Sequence, residues 1–323
     1  MVSVDVERCK LVAGAVKKLR PASVTPIEVQ FPESSETEAL LYFYITAICH
    51  QTRKLANKKE NLMGWEFLKN RFVNLAHTEP SFFTPSNLAH ANIKEVKAKL
   101  AKLFSVDGCL MLTRPLERAR FLVDCARVLD RNHGGSILNL LNESEGKTES
   151  LYSLLSICEA YKDPLRKKVG VLIRCLCKAK LLNLVDPENF KPIVDYHIMR
   201  VMLRTGCVNV ENPQLLDKLR GFRKVSDDTE FRVASQLALK IIAKASDKTL
   251  FEIDDLFWAL GRSCCFYKAT LCSQGNCAKT PCTFAVMFNL KRHKRCVLQK
   301  VCLAATDEKR RMLKEPNVNT SNY

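Results

Sequence analysis

Apolar residues recur every three or four positions through much of the chain, which is the spacing of one face of an α-helix. The stretch from Val6 to Leu19 follows this spacing, and so does the stretch from Arg114 to Leu129. Residues 40–49 are apolar on nearly every side, which predicts a helix at the centre of a lobe. The pattern therefore predicts an all-α protein.

Residues 191–206 contain the clearest local signal of a helix. Pro192 interrupts whatever precedes it, and Asp195 stands where an N-cap residue belongs. The apolar spacing from Ile198 to Leu203 then predicts a short helix, which Gly206 closes.

The polar residues of this helix suggest two different roles. Arg200 and Arg204 are one turn apart on one face, an arrangement suited to an anionic ligand. Asp195 could contribute a carboxylate to a reaction. The alternative is that Asp195 only caps the helix, which is a common use of Asp.

Composition limits the possible classes of protein. A chain of 323 residues with 47% hydrophobic content can bury a large core, and it has no apolar run of membrane-spanning length. Its beginning carries Asp5 and Glu7 in place of a basic and then apolar leader. We expect an intracellular monomer, nuclear or cytoplasmic, with no membrane partner. The net charge of +17 favours polyphosphate partners, although a merely soluble basic protein also fits.

The cysteines indicate a metal site. Fifteen cysteines without a secretion signal favour free thiols over a disulfide scaffold, and five of them lie within residues 264–282. We predict that one metal centre is held by Cys265, Cys272, Cys277 and Cys282. Four cysteines in short loops serve both iron–sulfur clusters and tetrahedral zinc.

The stretch from Pro192 to Val201 resembles the segment of endonuclease III and other helix-hairpin-helix DNA glycosylases in which a Val-Asp pair opens a helix and an Arg follows. The resemblance implies a two-lobed helical glycosylase-like fold with a C-terminal Cys-rich metal loop. It gives Asp195 the role of the carboxylate that is essential for breaking an N-glycosidic bond. It also implies that Gln51 fills the gap left by an everted base, the alternative being a solvent-facing Gln after a core helix.

The Gly261-Arg262 pair before Cys265 is similar to the start of the iron–sulfur loop of endonuclease III. This likeness implies a 4Fe-4S cluster. The inner spacing of the cysteines differs from that family, and zinc is the alternative.

A second resemblance, in patches between about residues 110 and 260, is to the queuosine salvage proteins, which are nucleotide N-glycosidases of a related all-helical fold. Both families place an Asp at position 195 and cleave a bond between a sugar and a base. The patches are residues 117–120, 134–139, 143–145, 195–196 and 230–235.

The DNA-binding hairpin of the glycosylases would be expected just before Asp195. That hairpin needs closely spaced glycines, and a Lys in its second helix makes the enzyme a lyase. Residues 162–174 contain a single glycine, Gly170. Lys167 or Lys168 could replace that nucleophile, but residues 178–190 lengthen their separation from Asp195 along the chain, so we predict no lyase activity. We expect these lysines to neutralise phosphates or to lie on an exposed helix face.

The sequence therefore predicts four parts: an N-terminal helix and linker (1–35), a helical core of two lobes (36–260), a Cys-rich loop (261–302) and a polar tail (303–323). Asp195 would stabilise the sugar cation, Tyr196 or His197 would contact base or ribose, and Arg200 would contact phosphate; a packed His197 is the alternative. The predicted function is monofunctional DNA glycosylase of base excision repair. The alternatives are a nucleotide N-glycosidase of queuosine-type salvage and a non-catalytic nucleic-acid-binding protein.

Overall fold

The computed structural model describes residues 1–21, 29–268, 270–274, 282–290 and 295–323. The protein is mostly helical, as the apolar spacing predicts, and no helix in the described ranges is both long and apolar enough to cross a membrane. The α-helices are α1 (Val6–Val16), α2 (Ser35–Ala47), α3 (Trp65–Thr78), α4 (Pro85–His90), α5 (Ile93–Leu103), α6 (Pro115–Asn132), α7 (Ile137–Glu143), α8 (Thr148–Leu155), α9 (Lys167–Lys178), α10 (Tyr196–Thr205), α11 (Pro213–Arg220), α12 (Thr229–Ser246), α13 (Leu250–Arg262), α14 (Leu271–Gln274), α15 (Thr283–Met287) and α16 (Glu308–Arg311).

Strands form three small antiparallel pairs in the part of the chain that the structure describes. The pairs are β1 (Val2–Val4) with β6 (Val208–Val210), β2 (Ala56–Asn57) with β3 (Leu62–Met63), and β4 (Ser105–Val106) with β5 (Cys109–Leu110). In the first pair Val2 lies opposite Val210 and Val4 opposite Val208. This pairing joins the start of the chain to a segment that follows α10.

The chain divides into two compact units. The first, which we call the terminal unit, consists of Met1–Pro26 and Lys191–Asn319, and the second, the middle unit, consists of Ile27–Phe190 and Thr320–Tyr323. Neither unit is one continuous stretch of chain.

Helix α10 lies at the centre of the terminal unit. It packs against α12 and α13, and α1 packs on α12. The predicted ends of α10 are confirmed: the Asp195 side chain caps its first turn, and Gly206 ends it with a left-handed backbone at φ +85°. Its apolar residues, among them Ile198, Met199 and Met202, are fully buried.

Helix α2 is the core helix of the middle unit, as its uniformly apolar sequence predicts. It packs against α3, α6, α7 and α9, and the Ser34 side chain caps its start by accepting a hydrogen bond from the Thr37 amide at 3.3 Å. Phe43 and Ile45 are fully buried. The helix ends at Ala47, whose carbonyl accepts a hydrogen bond from Lys168.

One predicted helix is interrupted. The lysine-rich pattern of residues 87–104 predicts a single amphipathic helix, whereas the structure has α4 and α5 separated at Ala91, whose backbone is extended. The Asn92 side chain accepts a hydrogen bond from the Lys94 amide at 2.9 Å and so starts a new helix. The Asn92 cap, and not the apolar spacing of residues 87–104, therefore determines where the helices end and begin.

Candidate functional site

Asp195 lies at the first turn of α10 with only 8% of its surface exposed. Its Oδ1 atom accepts hydrogen bonds from the backbone amides of His197 at 2.8 Å and Ile198 at 3.1 Å. The unpaired amides of a helix N-terminus carry partial positive charge and stabilise a carboxylate placed there. The predicted N-cap is therefore confirmed, and the carboxylate is held in a fixed position.

Two contacts hold the backbone around this carboxylate. Gln236 of α12 donates a hydrogen bond from Nε2 to the Pro192 carbonyl at 3.0 Å, which fixes the segment before the cap. Helix α13 comes so close to α10 that a Cβ atom on Gly261 would lie 2.7 Å from the His197 carbonyl oxygen. Only a glycine fits at that position.

Tyr196 and His197 follow Asp195 directly and are both partly exposed. Their ring centroids are 4.3 Å apart. His197 Nδ1 lies 3.0 Å from Nη2 of Arg200, so this ring nitrogen accepts a hydrogen bond from the guanidinium. The structure brings the two rings beside Asp195, and their predicted contact with a substrate stays a prediction.

Arg200 has a different role from the one that the sequence predicts. Its Nη1 pairs with Glu315 Oε2 at 2.6 Å, and both side chains are only 1% exposed. Nε donates to the Cys265 carbonyl at 2.9 Å and Nη2 to the Gly261 carbonyl at 2.6 Å. Burial disfavours the charge, but Glu315 and the Cys265 thiol outweigh it and raise the pKa of Arg200. The anion that this arginine binds is thus a carboxylate of the same chain.

Arg204 lies one turn further along α10 and is also buried. Nε donates to the Leu313 carbonyl at 2.8 Å, and Nη1 donates to the Phe266 carbonyl at 2.9 Å. Nη1 also lies 3.4 Å from the Cys265 Sγ atom, and the Cys302 Sγ atom lies 3.4 Å from the Arg204 carbonyl oxygen. Arg204, which the sequence predicts to form an anion site with Arg200, therefore contacts the sulfur atoms of two cysteines.

Three of the predicted substrate-binding residues belong to the middle unit, whereas Asp195 belongs to the terminal unit. Gln51 follows α2 in a left-handed conformation with φ +48°. Its backbone amide donates to the Tyr323 carbonyl at 3.0 Å, and its Nε2 atom lies 3.4 Å from the same oxygen. Gln51 is thus bonded within its own unit.

Lys167 and Lys168 are buried, which corrects the prediction that they lie on an exposed face or neutralise phosphates. Lys168 has no exposed surface, and its Nζ donates to the Ala47 carbonyl at the end of α2 at 2.6 Å. Lys167 Nζ lies 3.4 Å from the Cys49 Sγ atom. Burial, together with the charges of Lys167 and Arg118, lowers the pKa of Lys168 to about 7 against the opposing effects of Cys49 and Cys125.

A buried polar cluster at the end of α2 was not found from the sequence. Arg118 of α6 donates to the carbonyls of Ile48 and His50, and Lys168 Nζ lies 3.4 Å from His50 Nδ1. His50 Nε2 lies 3.0 Å from Glu117 Oε1. Burial, and then the positive charges of Arg118 and Lys168, hold the pKa of His50 far below its ordinary value, so the ring is neutral. The cations satisfy the last carbonyls of the helix.

The predicted metal ligands fall partly outside the described ranges. Cys277 lies in residues 275–281, which the structure does not describe, and Cys282 immediately precedes α15. Cys265 and Cys272 are both partly exposed and free of disulfide bonds. As the described side chains stand, no three His, Cys, Asp or Glu residues among them converge on a common ion position.

Two further cysteines lie near Cys265 and Cys272. Burial raises the pKa of the Cys296 thiol, and the charges of Cys265, Cys302 and Cys272 also raise it, while a hydrogen bond from the Leu298 backbone lowers it. Burial likewise raises the pKa of the Cys302 thiol to about 12, with contributions from Cys265 and Cys272. Burial is the main cause of both shifts. Soft thiolates are the ligands preferred by zinc and iron–sulfur clusters.

Compared with models of known protein families and with curated proteins, the chain matches none. The resemblance to helix-hairpin-helix glycosylases accordingly stays a prediction. In the described part of the terminal unit, the capped Asp195 carboxylate and the Cys265 and Cys302 thiols beside Arg204 are groups whose chemistry could serve a function.

Proposed function

We propose that this protein is an N-glycosidic bond hydrolase, a monofunctional DNA glycosylase with a two-lobed helical fold, in which Asp195 is the catalytic carboxylate. The observation that supports this proposal is the geometry of Asp195: the side chain is nearly buried, and both backbone hydrogen bonds end on its Oδ1 atom. The helix N-terminus favours the ionised form that the reaction needs. The resemblance of residues 192–201 to the glycosylases gives the same residue the same role.

The proposed reaction follows from charge. When the bond between C1′ of the sugar and the base nitrogen breaks, the bonding electrons leave with the base, and positive charge develops on the sugar. A carboxylate held close to that carbon in a nearly dry site stabilises the cation by several kcal/mol. Water then forms the new bond to C1′, and its proton passes to the carboxylate and on to the departed base.

Duplex DNA is the substrate class that the charge of the protein supports. A net charge of +17 attracts a polyphosphate, and binding that depends on phosphate contacts weakens steeply as salt concentration rises. A free nucleotide offers few phosphates and would show little of this dependence. The basic run at residues 291–295, most of which lies outside the described ranges, adds to the charge.

The contacts of Lys168 support a hydrolase without a lyase step. A lyase needs an amine that reaches the sugar and forms a Schiff base. Lys168 is fully buried, and its Nζ is bonded to the Ala47 carbonyl. Borohydride reduction during the reaction should therefore trap no covalent adduct between protein and DNA, whereas a trapped adduct would show that a lysine attacks.

The experiment compares base release by the wild type, Asp195→Asn and Asp5→Asn on duplexes with damaged bases and on free nucleotides. Asn keeps the N-cap hydrogen bonds, so Asp195→Asn removes the charge and leaves the helix. Asp5 is the matched control because it caps α1 in the same unit, accepting from the Arg8 amide at 2.9 Å. We expect Asp195→Asn to lose at least about 100-fold in rate and Asp5→Asn to lose nothing.

The substrate arms separate the three predicted functions. Release from duplex DNA that falls with salt supports the glycosylase, and release from free nucleotides alone would favour the salvage N-glycosidase. Full activity in Asp195→Asn would overturn the assignment of Asp195 as the catalytic carboxylate. Salt-dependent DNA binding with no release from any substrate would overturn the hydrolase and favour a binding protein.

A further inference from the structure

We propose that Cys49 and Lys167 form an oxidative modification site, at which hydrogen peroxide joins the Cys49 Sγ atom to the Lys167 Nζ atom through a covalent sulfur–nitrogen bond, a sulfenamide. Both residues belong to the middle unit. This redox chemistry goes beyond the proposed hydrolase and does not depend on it.

The thiol and the amine are already in contact. Lys167 Nζ lies 3.4 Å from Cys49 Sγ, although the two residues are 118 positions apart in sequence. Cys49 is not in a disulfide bond. Because the lysine side chain is a flexible four-carbon stem, rotations within it are enough to bring the nitrogen to bonding distance of the sulfur.

The backbone of Cys49 is held on both sides. Arg118 of α6 donates hydrogen bonds to the carbonyls of Ile48 and His50, the two residues that flank Cys49. The Cys49 amide donates to the Thr46 carbonyl at 3.3 Å. The thiol is therefore attached to a fixed point just beyond the end of α2.

Lys167 is the first residue of α9 and is also held in place. Its backbone amide donates to Asp163 Oδ2 at 2.9 Å. Lys168, the next residue, donates from Nζ to the Ala47 carbonyl at 2.6 Å and so ties the start of α9 to the end of α2. The two helix ends that carry the amine and the thiol are therefore fixed against each other.

Positive charge around Cys49 favours the form of the thiol that reacts with peroxide. Burial lowers the pKa of Lys168 and the pKa of Arg118, and the charge of Cys49 opposes this change in both. Because electrostatic attraction is mutual, these two cations favour the thiolate of Cys49, and so does the Lys167 ammonium group in contact with the sulfur. The thiolate is the nucleophile, and cysteines beside lysine or arginine are the ones that oxidise readily.

The burial of the pair selects a small oxidant. Cys49 has 6% of its surface exposed and Lys167 has 8%. Hydrogen peroxide is small and uncharged, whereas a disulfide reagent needs far more exposed surface to attack. Thiols of other molecules meet the same obstacle, so the Lys167 amine is the nucleophile in contact with the oxidised sulfur.

The reaction consumes one peroxide molecule. The thiolate sulfur bonds to one peroxide oxygen, the O–O bond breaks, and the released hydroxide takes a proton from the Lys167 ammonium group to form water. The neutral amine then bonds to the sulfur of the sulfenic acid, the S–O bond breaks, and hydroxide leaves as a second water with a proton from the amine. Sulfur loses two electrons to the peroxide, and the linked side chains are lighter by two hydrogen atoms.

The test treats the folded full chain with hydrogen peroxide and then blocks the remaining thiols with N-ethylmaleimide in urea. Peptides produced without reductant are mapped by tandem mass spectrometry. We expect a pair that joins Cys49 to Lys167 and is lighter than the two separate peptides by two hydrogen atoms. Dithiothreitol in urea should separate the pair and restore both peptides.

Four variants identify the two atoms that are joined. Cys49→Ser removes the thiol, and Lys167→Arg keeps the positive charge without the lysine amine. The matched controls are Cys175→Ser, because Cys175 is a thiol of α9 that is 8% exposed, and Lys168→Met, which removes the neighbouring amine. We expect the linked pair to be absent from the first two variants and present in both controls.

Three results would overturn this assignment. They are a Cys49 that stays a thiol after peroxide, a Cys49 oxidised to sulfinic or sulfonic acid without a linked peptide, and a Cys49 joined to Cys175 or to Lys168. Each is read from the wild type, so the test does not depend on the folding of a variant. In urea unfolding, peroxide should raise the midpoint of the wild type relative to that of Lys167→Arg, since a bond across 118 positions constrains the unfolded chain.

Discussion

Arg200 Nη1 and Glu315 Oε2 lie 2.6 Å apart in an ion pair whose side chains are each only 1% exposed. The two residues are separated by 115 positions in sequence. The pair fixes the segment around Leu313, which also accepts a hydrogen bond from Arg204, onto helix α10. The residues predicted as a polar tail therefore form part of the structure that holds the Asp195 helix.

Replacing Glu315 by Gln should lower the free energy of unfolding by about 3–5 kcal/mol, because it leaves the Arg200 charge buried without its partner. Urea unfolding followed by circular dichroism measures this loss. The control is Glu7→Gln, since Glu7 pairs with Lys10 at 2.7 Å on the exposed surface of the same unit. Its loss should stay below about 1 kcal/mol, and equal losses in the two variants would contradict the assigned role of the buried pair.

Gly261→Ala should destabilise the protein by about 1–3 kcal/mol, because the new Cβ atom would lie 2.7 Å from the His197 carbonyl oxygen and would push α13 from α10. Gly14→Ala in α1 is the matched control, since nothing lies within 4 Å of its added Cβ. That change should stabilise the protein by about 0.5–1 kcal/mol, the advantage of Ala inside a helix. If both variants shift the melting temperature in the same direction, the close contact of α13 with α10 at Gly261 does not limit the side chain there.

Asp195→Ala should lower the free energy of unfolding by about 1 kcal/mol, the usual value of an N-cap. Asp195→Asn should lower it by only a few tenths of a kcal/mol, since the Asn side-chain oxygen still accepts hydrogen bonds from the His197 and Ile198 amides. The two variants, measured by denaturant unfolding, separate the structural role of the residue from its charge. A large loss of stability in the Asn variant would mean that its activity assay reports unfolding.

Lys168 should make stability rise with pH. Its folded pKa is about 7 against an ordinary value of 10.5, so between these values the unfolded chain holds a proton that the folded chain lacks. Below about pH 7 the penalty for burying the charge is constant, and above about pH 10.5 it is absent. The rise amounts to a few kcal/mol at about 1.4 kcal/mol per pKa unit.

Lys168→Met is the control for this pH dependence. Methionine fills the same space without a titrating group, so the difference in unfolding free energy between wild type and variant should change across pH 7–10.5. A difference that stays constant over this interval would show that the Lys168 amine titrates normally.

Sequence reasoning succeeded where the signal was local. Pro192, Asp195 and Gly206 fix the limits of α10 through their own backbone and side-chain preferences, and the structure reproduces them. The uniformly apolar α2 was likewise recognisable as a core helix. Asn92 also gives a local signal, but the apolar period around it obscured the break between α4 and α5.

The residues that were misjudged depend on contacts that are distant in sequence. Lys168 follows two other basic residues and reads as surface, but it reaches the carbonyls at the end of α2 and is buried there. Glu315 carries no local sign that it will meet Arg200. Cys265 and Cys302 are far apart in sequence, and only the folded chain brings both of them to Arg204.

The terminal unit is assembled from two separated stretches of chain, and this has a consequence for synthesis in the cell. Strand β1 is made before its partner β6, which follows about 200 residues later, roughly 10–40 seconds at about 5–20 residues per second. The residues of the middle unit up to Phe190 are made about 20 residues before Val210. Nascent chains released early should therefore contain a protease-resistant middle and a digestible beginning, which becomes protected only once translation has passed Val210.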